Sequence, residues 1–344
     1  MKVLIIGGTG NISTGITSLL LERGGFDITL FNNDTADQWQ GRTKRIVGDR
    51  NDRSFFEESV IKAGPWDCVI DMICFNPEDA RSVIRAAGGR TKQLIFTSTV
   101  DAYTKGRIYP VPIDFLREPD PKFGYGYNKA RAEFVFEEAA GKGEFALTII
   151  RPVATCNDTW LPLTFVAPFH GYVMRRIRDG KPIIMHGDGT AVWPFTHRDD
   201  VAVAYVNALG NSRAFGKSYV TAPDVYYSWM EYYRTAARVM GAPEVSFVHI
   251  PSVLLARMVK GGDWIAQNIQ YTNIFDNTPA KQDLGFRITI PLEKIMQRGL
   301  SNPKPLEQIN TAPDFPAYDQ IISAWRRHED EMVSQCREWG LTPG

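Results

Sequence analysis

The sequence has few cysteines, no net charge and no long apolar run. Its four cysteines (Cys68, Cys74, Cys156 and Cys336) show no CxxC pair and no metal-ligand spacing, so we expect reduced thiols in a cytoplasmic protein without a bound metal. With 39 basic and 39 acidic side chains, the chain lacks the cationic excess that nucleic-acid binding requires. No apolar run reaches the roughly 18 residues of a membrane-spanning helix. We therefore expect no nucleic-acid partner and no membrane segment.

The first half of the chain alternates strand patterns with helix patterns. Lys2–Ile6 is a short apolar run, typical of a buried strand in a parallel sheet, and the glycines after it come too early for a signal peptide. Ser54 and Glu57 have capping-box spacing, which predicts a helix over residues 55–63. The repeated strand–helix–strand units predict an α/β protein with a Rossmann-type, doubly wound parallel sheet.

The second half is interrupted by prolines and predicts a smaller C-terminal α/β domain. We expect the dinucleotide-binding domain at residues 1–155, with returning segments at about 190–215. The substrate-binding domain is expected at about 156–190 and 216–344.

The run Gly7-Gly8-Thr9-Gly10-Asn11-Ile12-Ser13 joins the first strand to the first helix. Glycines there permit a tight turn and let a pyrophosphate approach the helix N-terminus, whose free N–H groups attract anions. Ser13 takes the place of the third glycine in a GxxGxxG pattern and is small enough to keep the helix close to the strand. Because the run lies between a strand and a helix, it predicts a dinucleotide site.

The end of the second strand bears on the choice of cofactor. An acidic residue there normally binds the adenosine ribose, but this chain has Asn32. Asp34 would repel a 2′-phosphate and favours NAD, whereas the basic stretch 42–45 favours NADP if its loop folds back. Asp49, after the third strand, is either an acceptor for the adenine amine or a turn-forming residue.

Tyr125 and Lys129 lie four residues apart in a segment with a helical pattern, so their side chains share a helix face. A lysine ammonium near a phenol favours the phenolate, which predicts a lowered pKa for Tyr125. Such a tyrosine is suited to general acid/base catalysis. Tyr127 lies on another face, where it is expected to pack or to line the substrate site.

Taken in order, these motifs resemble the extended short-chain dehydrogenases/reductases, and in particular the NAD-dependent epimerase/dehydratase family. The resemblance covers roughly residues 1–300. It rests on Gly7–Ser13, the hydroxyl-ended strand 94–99 before Tyr103, Tyr125–Lys129, Arg151-Pro152, Gly187–Gly189 and Thr196–Ala202.

The resemblance implies hydride transfer between a substrate carbinol and a nicotinamide cofactor. Tyr125 is then the general acid/base, Lys129 also holds the nicotinamide ribose, and Thr99 hydrogen-bonds the reacting oxygen, with Ser98 as the competing candidate. A homodimer packed through the Tyr125 helix is also implied. Contacts to NAD, with NADP as the alternative, are expected from Gly7, Gly10, Asn11, Ile12, Asn32, Asp49, Arg50, Ser98, Tyr125, Lys129 and Pro152.

Asp101 follows Thr99 by two residues, where the family's sugar 4,6-dehydratases have a glutamate. A carboxylate at this position assists an elimination or a second proton transfer. The other interpretation is a loop aspartate that caps a turn.

Two departures from the family pattern bear on the substrate. Where nucleotide-sugar enzymes usually have an Asn and an Arg that anchor the diphosphate, this chain has Ala154 and Trp193. Losing both anchors would cost a buried diphosphate several kcal/mol. Trp193 then either stacks on a sugar ring or packs within the protein. We expect a carbohydrate or polyol that is free or simply glycosidic, bound near Thr99, Asp101, Tyr127 and Trp193.

The arginines at 175, 176 and 178 are compatible with a phosphorylated substrate, although the simpler interpretation is that they form a solvated helix face. The leading hypothesis is an NAD(P)-dependent sugar epimerase, dehydratase or dehydrogenase. A ketone or aldehyde reductase of the same superfamily is one alternative, and a non-catalytic nucleotide- or RNA-binding relative is another. The paired Tyr125 and Lys129 disfavour a non-catalytic relative, and the zero net charge disfavours RNA binding.

Overall fold

The computed structural model describes residues 1–34, 38–106, 108–162 and 171–341. The strands are β1 (Lys2–Ile6), β2 (Asp27–Asn32), β3 (Lys44–Val47), β4 (Trp66–Asp71), β5 (Thr91–Thr97), β6 (Ala146–Pro152), β7 (Ala154–Cys156), β8 (Ile183–His186), β9 (Val192–Trp193), β10 (Phe195–His197), β11 (Lys217–Thr221), β12 (Tyr227–Ser228) and β13 (Phe247–Ile250). The helices are α1 (Asn11–Arg23), α2 (Arg53–Ala63), α3 (Pro77–Ala87), α4 (Gly124–Gly141), α5 (Tyr172–Arg178), α6 (Arg198–Ala208), α7 (Trp229–Met240), α8 (Ser252–Met258), α9 (Thr278–Leu284), α10 (Leu292–Leu300), α11 (Pro303–Asn310) and α12 (Pro316–Glu338). Short 3-10 turns lie at Val100–Ala102 and Ser212–Ala214, and a π-helical turn at Ile265–Ile269.

The chain divides into two compact units. The first comprises Met1–Asn157, Val192–Tyr227 and Tyr271–Ile295, and the second comprises Asp158–Ala191, Ser228–Gln270 and Met296–Gly344.

The first unit is built on a seven-stranded parallel sheet with the order β11-β6-β5-β4-β1-β2-β3. This order confirms the predicted Rossmann-type, doubly wound sheet. The direction of winding reverses between β1 and β4, and ligands of such sheets bind outside the carboxyl ends of the strands at this point. Because β11 pairs with β6, the chain remains in this unit to Tyr227, beyond residue 215, after which the sequence predicts a return to the substrate-binding domain.

Both faces of the sheet are covered, which explains why its strands are apolar without alternation. In β1, Val3 and Ile5 face a core shared with α1 and α6, whereas Leu4 and Ile6 face a core shared with α2, α3 and α4. Successive side chains of a strand point to opposite faces, so the consecutive residues Val3 to Ile6 of β1 are all buried.

The start of α2 differs from the prediction. Its N-cap is Asp52, whose carboxylate accepts a hydrogen bond from Phe55 N at 3.2 Å. The predicted capping box of Ser54 and Glu57 is therefore wrong, because the acidic residue before Arg53 already caps the helix. The Glu57 carboxylate instead accepts hydrogen bonds from Ser82 and Arg85 of α3.

In the second unit, β8 and β13 form a parallel pair, and Ser228 and Glu231 form a capping box that starts α7. The solvated face predicted at residues 175, 176 and 178 is wrong for Arg176, which is buried. Its guanidinium donates to both carboxylate oxygens of Asp319 on α12 and to Pro182 O. Arg176 thus acts as a cross-link between α5 and α12.

No helix within the described ranges meets the length and hydropathy needed to cross a bilayer.

Candidate active site

The turn after β1 has the conformation that a phosphate-binding loop needs. Gly7 has φ +81°, and a Cβ there would lie 2.6 Å from Ile73 Cγ2, so only glycine fits. The Ser13 hydroxyl donates to Gly7 O at 2.6 Å and holds α1 against the turn. Gly10 is the N-cap residue of α1 and has no side chain to occupy the first-turn N–H groups. Those groups are left for an anion.

A cavity of about 320 Å³ adjoins this turn. It is lined by the turn, by the ends of β2 and β3, and by the segment that leads into α3, with Gly7, Gly10, Asn32, Asp49 and Arg50 in its wall. The cradle at Gly7, the helix N-terminus and the cavity together fit the pyrophosphate and adenosine half of a dinucleotide.

Three predicted cofactor residues in this wall are also engaged within the protein. The Asn32 side chain accepts a hydrogen bond from Gly8 N at 2.8 Å. Asp49 accepts from Asn51 N at 2.8 Å, so it has the turn-forming geometry while still lining the cavity. Arg50 is buried and donates to Asp71 at 3.1 Å and to Asp79 O at 3.1 Å, which joins the loop after β3 to β4 and α3.

The groups that distinguish NAD from NADP lie at the end of β2. The Asp34 carboxylate accepts a hydrogen bond from Thr9 Oγ1 at 2.9 Å, which holds a negative charge beside the glycine turn. Lys44 instead pairs with Asp27 at 2.7 Å, and Arg42 donates to Leu21 O at 3.2 Å. This arrangement favours NAD, because a 2′-phosphate would meet the Asp34 charge.

Asn11, Ile12 and Pro152 were predicted to contact the cofactor but do not line the cavity. The Asn11 amide donates to Thr155 O at 2.7 Å and accepts from Asn157 at 2.6 Å, which joins the start of α1 to β7. Ile12 packs on the core beneath α1, and Pro152 ends β6. Their contacts with a cofactor stay a prediction.

Tyr125, Thr99 and Asp101 meet where β5 ends and α4 begins. The Tyr125 phenol is hydrogen-bonded to Thr99, and the Asp101 carboxylate is close enough to act on its charge. Thr99 also accepts from Asp101 N at 3.2 Å, so one hydroxyl joins the strand end to the turn Val100–Ala102. Thr99 therefore lies beside the Tyr125 hydroxyl, while Ser98 is buried beside Glu133. The hydrogen bond of Thr99 to the reacting oxygen stays a prediction.

The predicted lowering of the Tyr125 pKa is wrong for this structure. Although Tyr125 is 38% exposed overall, burial of its hydroxyl end raises the pKa, the Asp101 charge raises it further, and the Thr99 hydrogen bond lowers it. Lys129 does not produce the expected effect, because its ammonium donates to Thr97 O at 2.7 Å and lies near the rings of Phe75 and Phe96. Burial lowers the pKa of Lys129 itself.

Two residues of this region were missed from the sequence. Lys105 Nζ lies 3.1 Å from Asp101 Oδ1 and 3.1 Å from Asn273 Oδ1. The four-residue spacing of Asp101 and Lys105 was a signal available in the sequence, whereas nothing local pointed to Asn273. Asn273 N in turn donates to Val192 O at 2.9 Å, next to Trp193.

Trp193 is buried on β9, and Tyr127 is half-buried, with the Arg131 guanidinium 4.9 Å from its ring centre.

Gly126 decides how closely α4 approaches the turn at Asp101. A Cβ at Gly126 would lie 2.2 Å from Asp101 O, so Gly126→Ala should push Tyr125 away from Thr99 and lower the free energy of unfolding by about 1–3 kcal/mol. Gly124→Ala is the matched control, because a Cβ there meets nothing within 4 Å. Urea denaturation of both variants measures the difference, and equal stability would contradict the packing described.

Arg151 of the Arg-Pro motif belongs to a buried ion-pair network. Its guanidinium donates to both carboxylate oxygens of Glu133 at 2.8 Å and to Tyr103 OH at 2.8 Å, and Arg117 also donates to Glu133 at 2.6 Å. These cations hold the pKa of Glu133 below its usual 4.5 despite the opposing effect of burial.

Glu133→Gln is expected to cost about 3–5 kcal/mol at neutral pH, because it leaves a buried cation uncompensated. Since the folded-state pKa is lowered, the stabilisation by Glu133 is full above its unfolded value and is lost as pH falls through the folded value. The deficit of Glu133→Gln should therefore shrink in acid. Urea denaturation at several pH values tests this, with Glu138→Gln, which breaks only an exposed pair with Lys142, as control. A deficit that is constant with pH would refute the ionic role.

The chain matches the NAD dependent epimerase/dehydratase family over residues 3–222. It belongs to that family. This confirms the resemblance seen in the sequence, and the family's name carries the predicted cofactor, NAD.

The names of individual relatives describe different functions. The chain is 23% identical over 276 residues to 2′-dehydrokanamycin reductase of Streptomyces kanamyceticus, covering 80% of this chain and 77% of that protein. It is 26% identical over 263 residues to the chloroplast stem-loop binding protein of 41 kDa b of Arabidopsis thaliana, covering 72% and 65%. The UDP-glucuronic acid 4-epimerase of Bacillus cereus, solved with NAD, superposes with a TM-score of 0.69 at 15% identity, covering 90% of this chain and all of that one.

Proposed function

We propose that this protein is an NAD-dependent enzyme that oxidises a hydroxyl group of a carbohydrate or polyol by hydride transfer. The observation that carries the proposal is the hydrogen bond between Tyr125 and Thr99, at the end of a strand whose last carbonyl binds Lys129. In the reducing direction the protonated phenol of Tyr125, which the raised pKa favours, donates its proton to the substrate oxygen. In the oxidising direction its ionised form accepts the hydroxyl proton of the substrate, and in both directions Thr99 orients the reacting oxygen. NAD, when bound, supplies the hydride acceptor.

The glycine turn and its cavity support the cofactor part of this proposal. Gly7, Gly10 and the first turn of α1 would hold the pyrophosphate, and Asn32, Asp49 and the Arg50 backbone would surround the adenosine. On this assignment the structural contacts of Asn32 and Arg50 keep the wall in place, and Asp34 selects against NADP.

The substrate part rests on the polar groups beside Tyr125. Asp101, Lys105 and Asn273 offer acceptors and donors that suit hydroxyl groups, and Trp193 lies near them through Val192. Trp193 and Ala154 stand where the family's diphosphate anchors are expected, so a free or glycosidic sugar fits better than a nucleotide sugar. Asp101 supplies the carboxylate that would assist an elimination.

The same site also runs in the reducing direction, and one comparison favours that alternative. The relative from Streptomyces kanamyceticus carries the name of a reductase. A reductase releases its cofactor in each turnover, whereas an epimerase or dehydratase regenerates NAD within the site.

Identification of the nucleotide released from the denatured protein separates these possibilities. Stoichiometric NAD indicates a closed cycle, and sugars are then tested for epimerisation and dehydration. An empty site that binds NAD reversibly indicates a dehydrogenase or reductase, and sugars and polyols are then tested for net cofactor turnover. A protein that neither releases nor binds NAD or NADP refutes the proposal.

A further inference from the structure

Lys105 follows the turn Val100–Ala102 and has a nearly buried side chain, with 12% exposed. Its ammonium lies between Asp101 and Asn273, 3.1 Å from each acceptor. Asn273 is itself held, since its amide donates to Tyr271 O at 2.8 Å and its backbone N–H donates to Val192 O at 2.9 Å. Lys105 therefore has a defined position, in contrast to a solvent-exposed lysine.

The position of Lys105 matters because its partner, Asp101, carries a negative charge close to the Tyr125 phenol. Three groups bear on the Tyr125 phenol: the Thr99 hydroxyl and Asp101 from the strand end and the turn, and Tyr205 from α6. Among them Asp101 carries the negative charge, which opposes loss of the phenol proton. Lys129 is directed to Thr97 O, whereas Lys105 is, among the residues that the structure describes, the cation in contact with Asp101.

We propose that Lys105 is a positioning residue of the active site, whose ammonium holds the Asp101 carboxylate in place beside Tyr125 and offsets its negative charge at the phenol. The inference rests on the proposed acid/base role of Tyr125. The side chains of Lys105 and Asp101 are only 12% and 11% exposed. Solvent therefore screens this pair less than it screens a surface ion pair, and the loss of one charge should be felt by the neighbouring phenol.

The test replaces Tyr125 with 3,5-difluorotyrosine in the full-length protein and follows its ionisation by fluorine NMR. The fluorinated phenol ionises at lower pH than tyrosine, and its signal reports this one side chain among 13 tyrosines. In this background, Lys105→Met should raise the pKa of residue 125 by about one unit. Lys105→Arg should restore the original titration, because it keeps the charge.

Two further variants separate charge from structure. In the double variant Lys105→Met/Asp101→Asn, both charges are absent, so the upward shift should vanish. Asn273→Ala keeps the ammonium but removes one of its acceptors, so a smaller shift in the same direction is expected. A Lys105→Met titration that coincides with that of the parent protein would overturn the inference, as would an upward shift that persists in the double variant.

The titrations test the role of Lys105 separately from the proposed function. If the protein handles neither nucleotide nor sugar while the titrations shift as expected, the proposed function fails and the charge relation between Lys105 and Tyr125 stands. If a sugar is turned over and the titrations coincide, only the role of Lys105 fails.

Discussion

Tyr125→Phe is expected to lower kcat by about 10²–10⁴-fold, because it removes the group that moves the hydroxyl proton. The phenyl ring keeps the packing of Tyr125 against Phe123, whose ring centre lies 6.4 Å away, so the fold and the glycine turn should be unaffected. The rate is measured with whichever sugar or polyol the wild-type protein turns over fastest. NAD affinity, measured by calorimetry, should change little.

Tyr127→Phe is the matched control, because Tyr127 lies two residues away and its ring packs beneath Arg131. Because a hydroxyl that only lines the substrate site matters less than the group that moves the proton, Tyr127→Phe should lower kcat far less than Tyr125→Phe. Unchanged turnover in Tyr125→Phe, or an equal loss in both variants, would exclude Tyr125 as the acid/base.

Gly10→Asp is expected to weaken NAD binding by about 100-fold, which corresponds to roughly 3 kcal/mol. A carboxylate at this position would both repel the pyrophosphate and accept hydrogen bonds from the first-turn N–H groups that would otherwise bind it. Gly10 has φ −75° and ψ −178°, an extended conformation that aspartate adopts without strain. The variant should therefore unfold at the same temperature as the wild type or slightly above it, since aspartate caps a helix better than glycine.

Gly10→Ala separates the charge from the added volume. Its Cβ would lie 3.2 Å from Ser13 Oγ and 3.7 Å from Gly7 O, which a small shift accommodates. Calorimetric titration with NAD should give an affinity for Gly10→Ala much closer to the wild type than to Gly10→Asp. Wild-type affinity in Gly10→Asp would mean that the turn after β1 does not hold the pyrophosphate.

The sheet and the glycine turn could be predicted because their signals are local. An apolar run such as Lys2–Ile6 reports burial on both faces, and glycine between a strand and a helix reports the backbone conformation that the turn requires. The four-residue spacing of Tyr125 and Lys129 similarly placed both residues on α4. Each of these inferences depends only on residues within a few positions of one another.

The electrostatics of the site were decided by tertiary structure. The sequence placed Lys129 one turn from Tyr125, but the folded chain directs its ammonium to Thr97 O. The pKa of Tyr125 is instead governed by burial and by Asp101, which lies in a different element. A helical spacing defines which face a side chain occupies, and it does not define which acceptor the flexible lysine chain reaches.

The partners that complete the polar groups beside Tyr125 are also distant in sequence. Asn273 lies 168 residues after Lys105. Likewise, in the wall of the cavity at the glycine turn, Arg50 donates to Asp71 at the end of β4. The periodicity of a chain determines which residues are buried, whereas the identity of a buried group's partner depends on how elements far apart in the chain pack together. The sequence by itself therefore determined the fold class and the helix that carries Tyr125 and Lys129. Tertiary packing alone decided the charge balance at Tyr125, because charges act through space and across elements that no local pattern relates.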